Sequence, residues 1–109
     1  MAIQLSSGRV PALDFLEGLT PSEKRRIAAV IELAAQDGPP RDGVRSKHVE
    51  GEPFWEFRAS AQRVFWCYAP GRQIVLLHGY TEKSARIPRV ELLAARERYW
   101  LARGELGAE

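Results

Sequence analysis

The sequence predicts an α+β domain in which an N-terminal helical hairpin packs on a small twisted antiparallel sheet and a C-terminal helix follows. Three observations carry this expectation. Apolar residues from Leu13 to Ala34 recur three and four apart, which is the helical period. Three strand-like runs then follow one another across short gaps, and short gaps demand antiparallel neighbours. A helical pattern returns after Pro88. With 109 residues the chain is long enough for one domain, 1–109, and too short for two.

The elements follow in order. Residues 1–10 are polar, although Ile3 and Leu5 alternate with polar neighbours and allow a short leading strand. Pro11 suits a helix start, Leu13, Phe15, Leu16 and Leu19 give that helix an apolar face, and Gly18 weakens its end. Thr20-Pro21-Ser22-Glu23 restarts a helix. Thr20 is a capping residue, Pro21 fits the first helical position, and Glu23 completes a capping box. Ile27, Val30, Ile31 and Ala34 continue it until Asp37-Gly38-Pro39-Pro40 stops it. Arg41 to Glu52 is polar and turn-rich and reads as a connection. The strand runs are Phe54–Arg58, Val64–Tyr68 and Gln73–Tyr80, with Pro70-Gly71 as a turn. Pro88 opens the last helix, with Val90, Leu93, Ala94, Glu97 and Leu101 expected along one side. The tail is expected to fray from about Gly104.

Hydrophobic residues make up 45% and charged residues 28%, the balance of a globular protein rather than a disordered one. The net charge of +2 is unevenly spread. Arg41 to Arg89 holds nine basic and five acidic residues, while the stretches on either side are each net −1. Thirteen of the sixteen basic residues are arginine, whose planar fork matches phosphate; this is a mild argument for a polyanionic partner, and composition alone reads more simply as an arginine-rich surface. Cys67 is alone and lies between Trp66 and Tyr68. It forms no internal disulfide, reads as a packing residue, and fits a reducing cytoplasm. Neither a signal peptide nor a membrane span is legible, and one Cys with two His gives no metal-ligand spacing. The expectation is a cytoplasmic protein without a cofactor.

Strand alternation puts Trp55 and Phe57 on one face and Glu56 and Arg58 on the other. Val64, Trp66 and Tyr68 likewise oppose Arg63, Phe65 and Cys67. A tight hairpin brings Arg58 and Arg63 close to its turn. Lys47 and His48 precede the first run; Lys83, Arg86 and Arg89 follow the third. The start of the first run and the end of the third are expected at one end of the sheet, with the Arg58–Arg63 turn at the other. A metal-free ribonuclease needs a base for the 2′-hydroxyl, cations for the pentavalent phosphate and an acid for the leaving 5′-oxygen. Arginine stabilises phosphate, and histidine titrates nearest neutrality. His78 lies inside an apolar strand and reads first as a core histidine. Phe54, Trp55 and Trp66 read as core aromatics rather than base-stacking platforms.

Several motifs occur in order. Lys47-His48-Val49-Glu50-Gly51 with Phe54-Trp55-Glu56-Phe57-Arg58, Arg63 before Val64-Phe65-Trp66, Ile74 to Tyr80 leading through Lys83 and Arg86 to Pro88, and Glu91 with Ala94 and Ala95 together resemble the phage-derived branch of the RelE/HigB toxins. The similarity spans roughly Lys47 to Arg103. It implies a RelE-like fold, two helices under an antiparallel sheet with a C-terminal helix. It implies the toxin of a type II toxin-antitoxin system, a metal-independent endoribonuclease acting on mRNA in the ribosome. It implies a helix-turn-helix antitoxin as partner, with operator DNA reached only through that antitoxin. By position it marks Lys47, Arg58, Arg63 and Lys83 as catalytic candidates and Arg86, Arg89 and His78 as RNA contacts. Glu82-Lys83 departs from the family's paired lysines and lowers the local positive potential. The alternatives are a ParE-like toxin that binds gyrase, which needs no catalytic cluster, and a catalytically silent binding module of the same fold.

Overall fold

In the computed structural model, which describes residues 1–109, the chain forms α1 (Pro11–Glu17), α2 (Pro21–Asp37), β1 (Ser46–His48), β2 (Trp55–Ala59), β3 (Gln62–Ala69), β4 (Gln73–Thr81) and α3 (Arg89–Leu106). The capping box at Thr20 forms as the sequence dictates. The Thr20 hydroxyl accepts from the Glu23 N–H, and the Glu23 carboxylate accepts from the Thr20 N–H at 2.9 Å. Two donors that α2 would otherwise leave unpaired are satisfied by residues next to each other on its first turn.

The four strands pair in chain order, all antiparallel. The two-residue turn at Ser60-Ala61 joins β2 to β3, and Pro70-Gly71-Arg72 joins β3 to β4. β1 falls inside the segment read as a connection. Its three residues Ser46-Lys47-His48 carry no apolar alternation, and only their pairing with Phe57, Glu56 and Trp55 makes them a strand. The leading segment is also used. Ile3 donates to the Leu76 carbonyl at 3.0 Å and Leu76 donates back to Met1 at 2.8 Å, a parallel contact that covers the outer edge of β4.

Helices cover the sheet unequally. α1 and α2 share one face, where Ala12, Ile27, Val30 and Ala34 meet Phe57, Val64, Trp66 and Leu76. There Trp66 is stacked between Phe57 and Trp55, with centroids 4.9 and 5.2 Å away. α3 lies over β3 and β4 on the other face. Ala95, Tyr99 and Ala102 close over Phe54, Phe65, Cys67, Val75 and Leu77. The apolar side expected for α3 is not the buried one. Val90 is 70% and Leu93 43% exposed, whereas Leu92, Ala95, Tyr99, Ala102 and Leu106 face the core. Small alanines are needed where the helix approaches the sheet closely, so the buried stripe is the less hydrophobic one. The tail does not fray at Gly104. Gly107 caps α3 in the left-handed conformation, the Glu109 N–H donates to Tyr68 at 2.9 Å, and the Tyr99 hydroxyl donates to the Glu109 carbonyl. Arg96 ties α3 to Glu52, with Nε 2.6 Å from the carboxylate. No helix is long and apolar enough to cross a membrane. Cys67 is fully buried, and burial pushes its thiol up to about 12, as a packing residue requires.

β4 carries one extra residue between the partners of Phe65 and Trp66, because Phe65 opposes His78 and Trp66 opposes Leu76. Leu77 is that bulge residue, and beyond it the alternation is reset. His78 and Tyr80 therefore lie on the α3 face, and Gly79 points toward α1. A Cβ on Gly79 would sit 2.2 Å from the Phe15 ring. Gly79→Ala is expected to cost about 1–3 kcal/mol in urea unfolding, as overpacking does. Combining it with Phe15→Ala should recover much of that specific loss in a double-mutant cycle. Additive losses would show that the close approach is not what requires glycine.

Candidate functional site

The strand register builds two rows of side chains on the α3 face. One runs Lys47, Glu56, Phe65, His78; the next runs Arg58, Arg63, Tyr80. These residues occupy one face because each is a direct cross-strand partner of the next. α3 covers the β3 and β4 part of the rows, leaving Lys47, Glu56 and Arg58 on β1 and β2.

The ends of the strands meet differently from the expectation. In a three-stranded meander the end of the last strand returns to the first turn, not to the first strand's start. Glu82, just past β4, donates its N–H to Ala61 in the β2–β3 turn at 2.7 Å. Lys83 thus leaves the sheet at the same end as Arg58 and Arg63. Lys47 reaches the group from the side, through the extra strand β1, opposite Glu56. Lys83, Arg86 and Arg89 are exposed on the segment that leads from this end into α3.

Arg63 is not a free guanidinium. It is 4% exposed. Its Nη1 donates to the carbonyls of Ser60 at 2.7 Å and Gln62 at 2.9 Å, and its Nη2 to Glu82. Ser60 has a φ of +52°, a strained value for a residue with a Cβ, and accepts this bond within the same turn. Glu82, which the sequence marks as a departure that weakens the basic site, is the counter-charge that keeps Arg63 buried.

His78 is half-buried. Its Nε2 lies 3.0 Å from the Glu91 carboxylate on the first turn of α3, and its ring stacks on Phe65. Phe65 separates it from Glu56 in the row, so the fold does not bring it to the arginines.

The residue that sequence reasoning missed is Glu56. It is 7% exposed, and its Oε2 has no hydrogen-bond partner. Arg58 Nε lies 3.4 Å from its Oε1, too poorly aligned to donate, and that Nε is itself unpaired. Burial pushes the Glu56 carboxyl above its ordinary value, and the nearby charges of Arg58, Arg63 and Lys47 only partly offset this. Tyr80, beside Arg63, is pushed up to about 12, first by burial and then by the Glu56 charge, so its phenol stays protonated. Glu56 Oε2 and Arg58 Nε are two of six buried side-chain polar atoms without a partner, and they belong to one unaligned ion pair of opposite charges on a sheet face, an arrangement that suits a site built for a ligand rather than for stability. The signal in the sequence was the Glu-x-Arg alternation opposite an apolar face, which reads equally as a solvated strand face. The site has the parts for acid–base chemistry at a phosphate: a carboxyl of raised affinity for protons, an adjacent arginine and a lysine across the strand pair. No group of three or more His, Cys, Asp or Glu side chains that would hold a metal occurs.

Residues 14–100 match the family described as Phage derived protein Gp49-like (DUF891). The chain belongs to the Gp49-like family. Among curated proteins nothing matches it. The stretch shared with the Gp49-like family runs from within α1 well into α3 and contains every member of the Glu56 group. Membership in this family is consistent with a toxin-like role.

Two outcomes follow from this geometry. A carboxyl whose affinity for protons is raised on folding favours the folded state at low pH, and that contribution is lost as pH rises through its folded value. Glu56→Gln mimics the protonated form. It is expected to raise Tm at neutral pH, with the gain vanishing below the ordinary glutamate value of 4.5; a lower Tm at neutral pH would contradict the burial assigned to Glu56. Arg63→Ala strips Glu82 and two carbonyls of their partner. It should cost about 2–3 kcal/mol in chemical unfolding, whereas Arg58→Ala stays within about 1 kcal/mol. Equal small losses would mean that Arg63 is not held as described.

Proposed function

We propose that this chain is the toxin of a toxin-antitoxin pair and that it cleaves mRNA in the ribosome without a metal ion, as the resemblance to RelE/HigB toxins implies. The observation that carries the reading is the pair of buried Glu56 and half-buried Arg58, both with an unsatisfied polar atom, on β2, beside the strands that α3 packs on. Family membership and the order of motifs from Lys47 to Arg103 support it.

The reaction is an internal transesterification. The Glu56 carboxylate takes the proton of a 2′-hydroxyl, and the 2′-oxygen attacks the adjacent phosphorus. An incoming phosphate competes with Glu56 for the Arg58 fork, which frees the carboxylate and places the guanidinium on the pentavalent phosphate. The bond to the 5′-oxygen breaks, and that oxygen takes a proton from Lys47. The products are a 2′,3′-cyclic phosphate and a 5′-hydroxyl end. Glu56 returns its proton to solvent and Lys47 regains one. Arg63 is a positioning residue, since both of its Nη groups are used within the fold. Lys83, Arg86 and Arg89 are exposed cations that follow the RNA backbone. His78, tied to Glu91, has no part in the chemistry. A helix-turn-helix antitoxin neutralises the toxin and carries the contacts with operator DNA.

Inducible expression of the chain in a bacterium, with mRNA 5′ ends mapped, tests this reading. Growth arrest with new cuts inside translated frames is expected. Glu56→Gln should slow cleavage by about 10²–10⁴-fold, the usual worth of a general base, while the variant remains folded. Arrest with intact mRNA would turn the reading toward a gyrase-type target. Cleavage undiminished in Glu56→Gln and in Arg58→Ala would remove this pair from the active centre.

A further inference from the structure

The reverse face of the sheet has an opening of its own. α2 ends at Asp37 before it reaches the edge formed by β1. Between its last turn, the Gly38 to Gly43 segment and the strands lies a groove of about 720 Å³, walled by Trp55, Trp66, Tyr68 and Ile74. That size is in the range of sites that take a ligand or a side-chain anchor. Ser46, His48, Trp55 and Trp66 reach it from the α2 face, the side of the sheet opposite Glu56.

Two features of the groove are left incomplete by the fold. The Trp66 indole is 1% exposed, yet its Nε1–H is shielded from solvent and donates to nothing. A buried donor without an acceptor is costly, and because this one has no surface toward the groove it reports on the packing of the aromatic wall rather than meeting a ligand directly. Arg41, Lys47 and Arg72 line the groove and make no ion pair, against a single carboxylate, Asp37. Arg72 is held at a φ of +59°, a conformation that glycine would adopt without strain.

The aromatic walls decide the class of occupant. Trp66 is already stacked on both sides, by Phe57 and by Trp55, with interplanar angles of 14° and 21°. His48 and Tyr68 meet Trp55 edge to face. The rings are engaged with one another, which leaves the groove ring edges, aliphatic surface and a cationic rim. A nucleobase wants a free ring face. An acidic peptide segment with an apolar side chain wants what is present: a wall for the side chain and unpaired cations for its carboxylates.

We infer that this groove is a docking site for an acidic, apolar-anchored peptide segment of a partner protein, on the face opposite the Glu56 group. The inference does not rest on the nuclease reading, although Lys47 lines the groove as well as standing opposite Glu56.

The indole N–H signals of Trp55, Trp66 and Trp100 in a nitrogen-15 spectrum of the whole chain report on it, assigned by single Trp→Phe variants. The probes are a blocked peptide of repeating Glu-Leu-Ala units, its Lys-Leu-Ala counterpart and oligouridylate. The acidic peptide is expected to move the Trp66 signal and leave that of the exposed Trp100 in place. Arg41→Glu combined with Arg72→Gly, which keeps the turn conformation, should weaken binding by about tenfold. A Trp66 signal that ignores the acidic peptide, or answers the lysine peptide equally, would overturn the proposal. So would tighter binding of oligouridylate at Trp66, which would make the groove an RNA site. None of these readouts involves mRNA cleavage, so they separate this inference from the proposed reaction.

Discussion

The arrangement of the site depends on how one guanidinium is used. Arg63 stands where the β2–β3 turn, the end of β4 and the segment leading to α3 meet, and it bonds to the first and the last of these. A buried arginine needs partners for its donors, and here two carbonyls and one carboxylate take up both Nη groups, while Nε stays unpaired. The consequence is geometric. With Glu82 held at Arg63 and bonded through its N–H to Ala61, β4 cannot leave the sheet in another direction, and Lys83 must begin the next segment beside Arg58. The catalytic candidates are therefore gathered by a residue that is itself spent.

Around that tie, the two faces of the sheet divide the work of the fold. On the α1 and α2 face, the Phe57–Trp66–Trp55 stack and the close approach of Phe15 to Gly79 give a dense core. On the other face α3 closes over β3 and β4 with alanines and Tyr99, and its reach ends before Glu56 and Arg58. A carboxyl is kept buried there at a cost in stability, without the aligned bonds that compensate buried charge elsewhere in the chain. Stability given up at one place while the rest is well packed is the usual signature of a functional site.

The sequence made much of this legible and concealed particular parts for physical reasons. Capping at Thr20-Pro21-Ser22-Glu23 is local chemistry, and it formed as read. The strands at Phe54, Val64 and Gln73 follow from β-branched and aromatic alternation, and they too were found. β1 could not be seen, because Ser46-Lys47-His48 owes its extended form to its partner strand and not to its own residues. The buried side of α3 was misjudged because hydrophobic weight pointed to Val90 and Leu93, whereas close helix–sheet approach selects Ala95 and Ala102. The tail after Gly104 was read as frayed because its bonds go to Tyr68 and Tyr99, partners distant in sequence. In the site, Lys47, Arg58, Arg63 and Lys83 were marked by position. The burial of Arg63, the role of Glu82 and the presence of Glu56 all depend on the turn at Ser60 and on the order of strands, which no local pattern encodes.

The account stands or falls on the state of one side chain, since a base at this face must be a carboxyl kept from its ordinary ionisation by burial and held beside an arginine that a phosphate can take. Carbon-13 titration of the Glu56 side-chain carboxyl in the intact chain measures that state directly. The account predicts a midpoint above the ordinary glutamate value of 4.5, raised further in Arg58→Gln, where the largest opposing charge is removed. A midpoint at or below 4.5, or one indifferent to Arg58, would mean that Glu56 is a solvated strand residue and that the site described here does not exist.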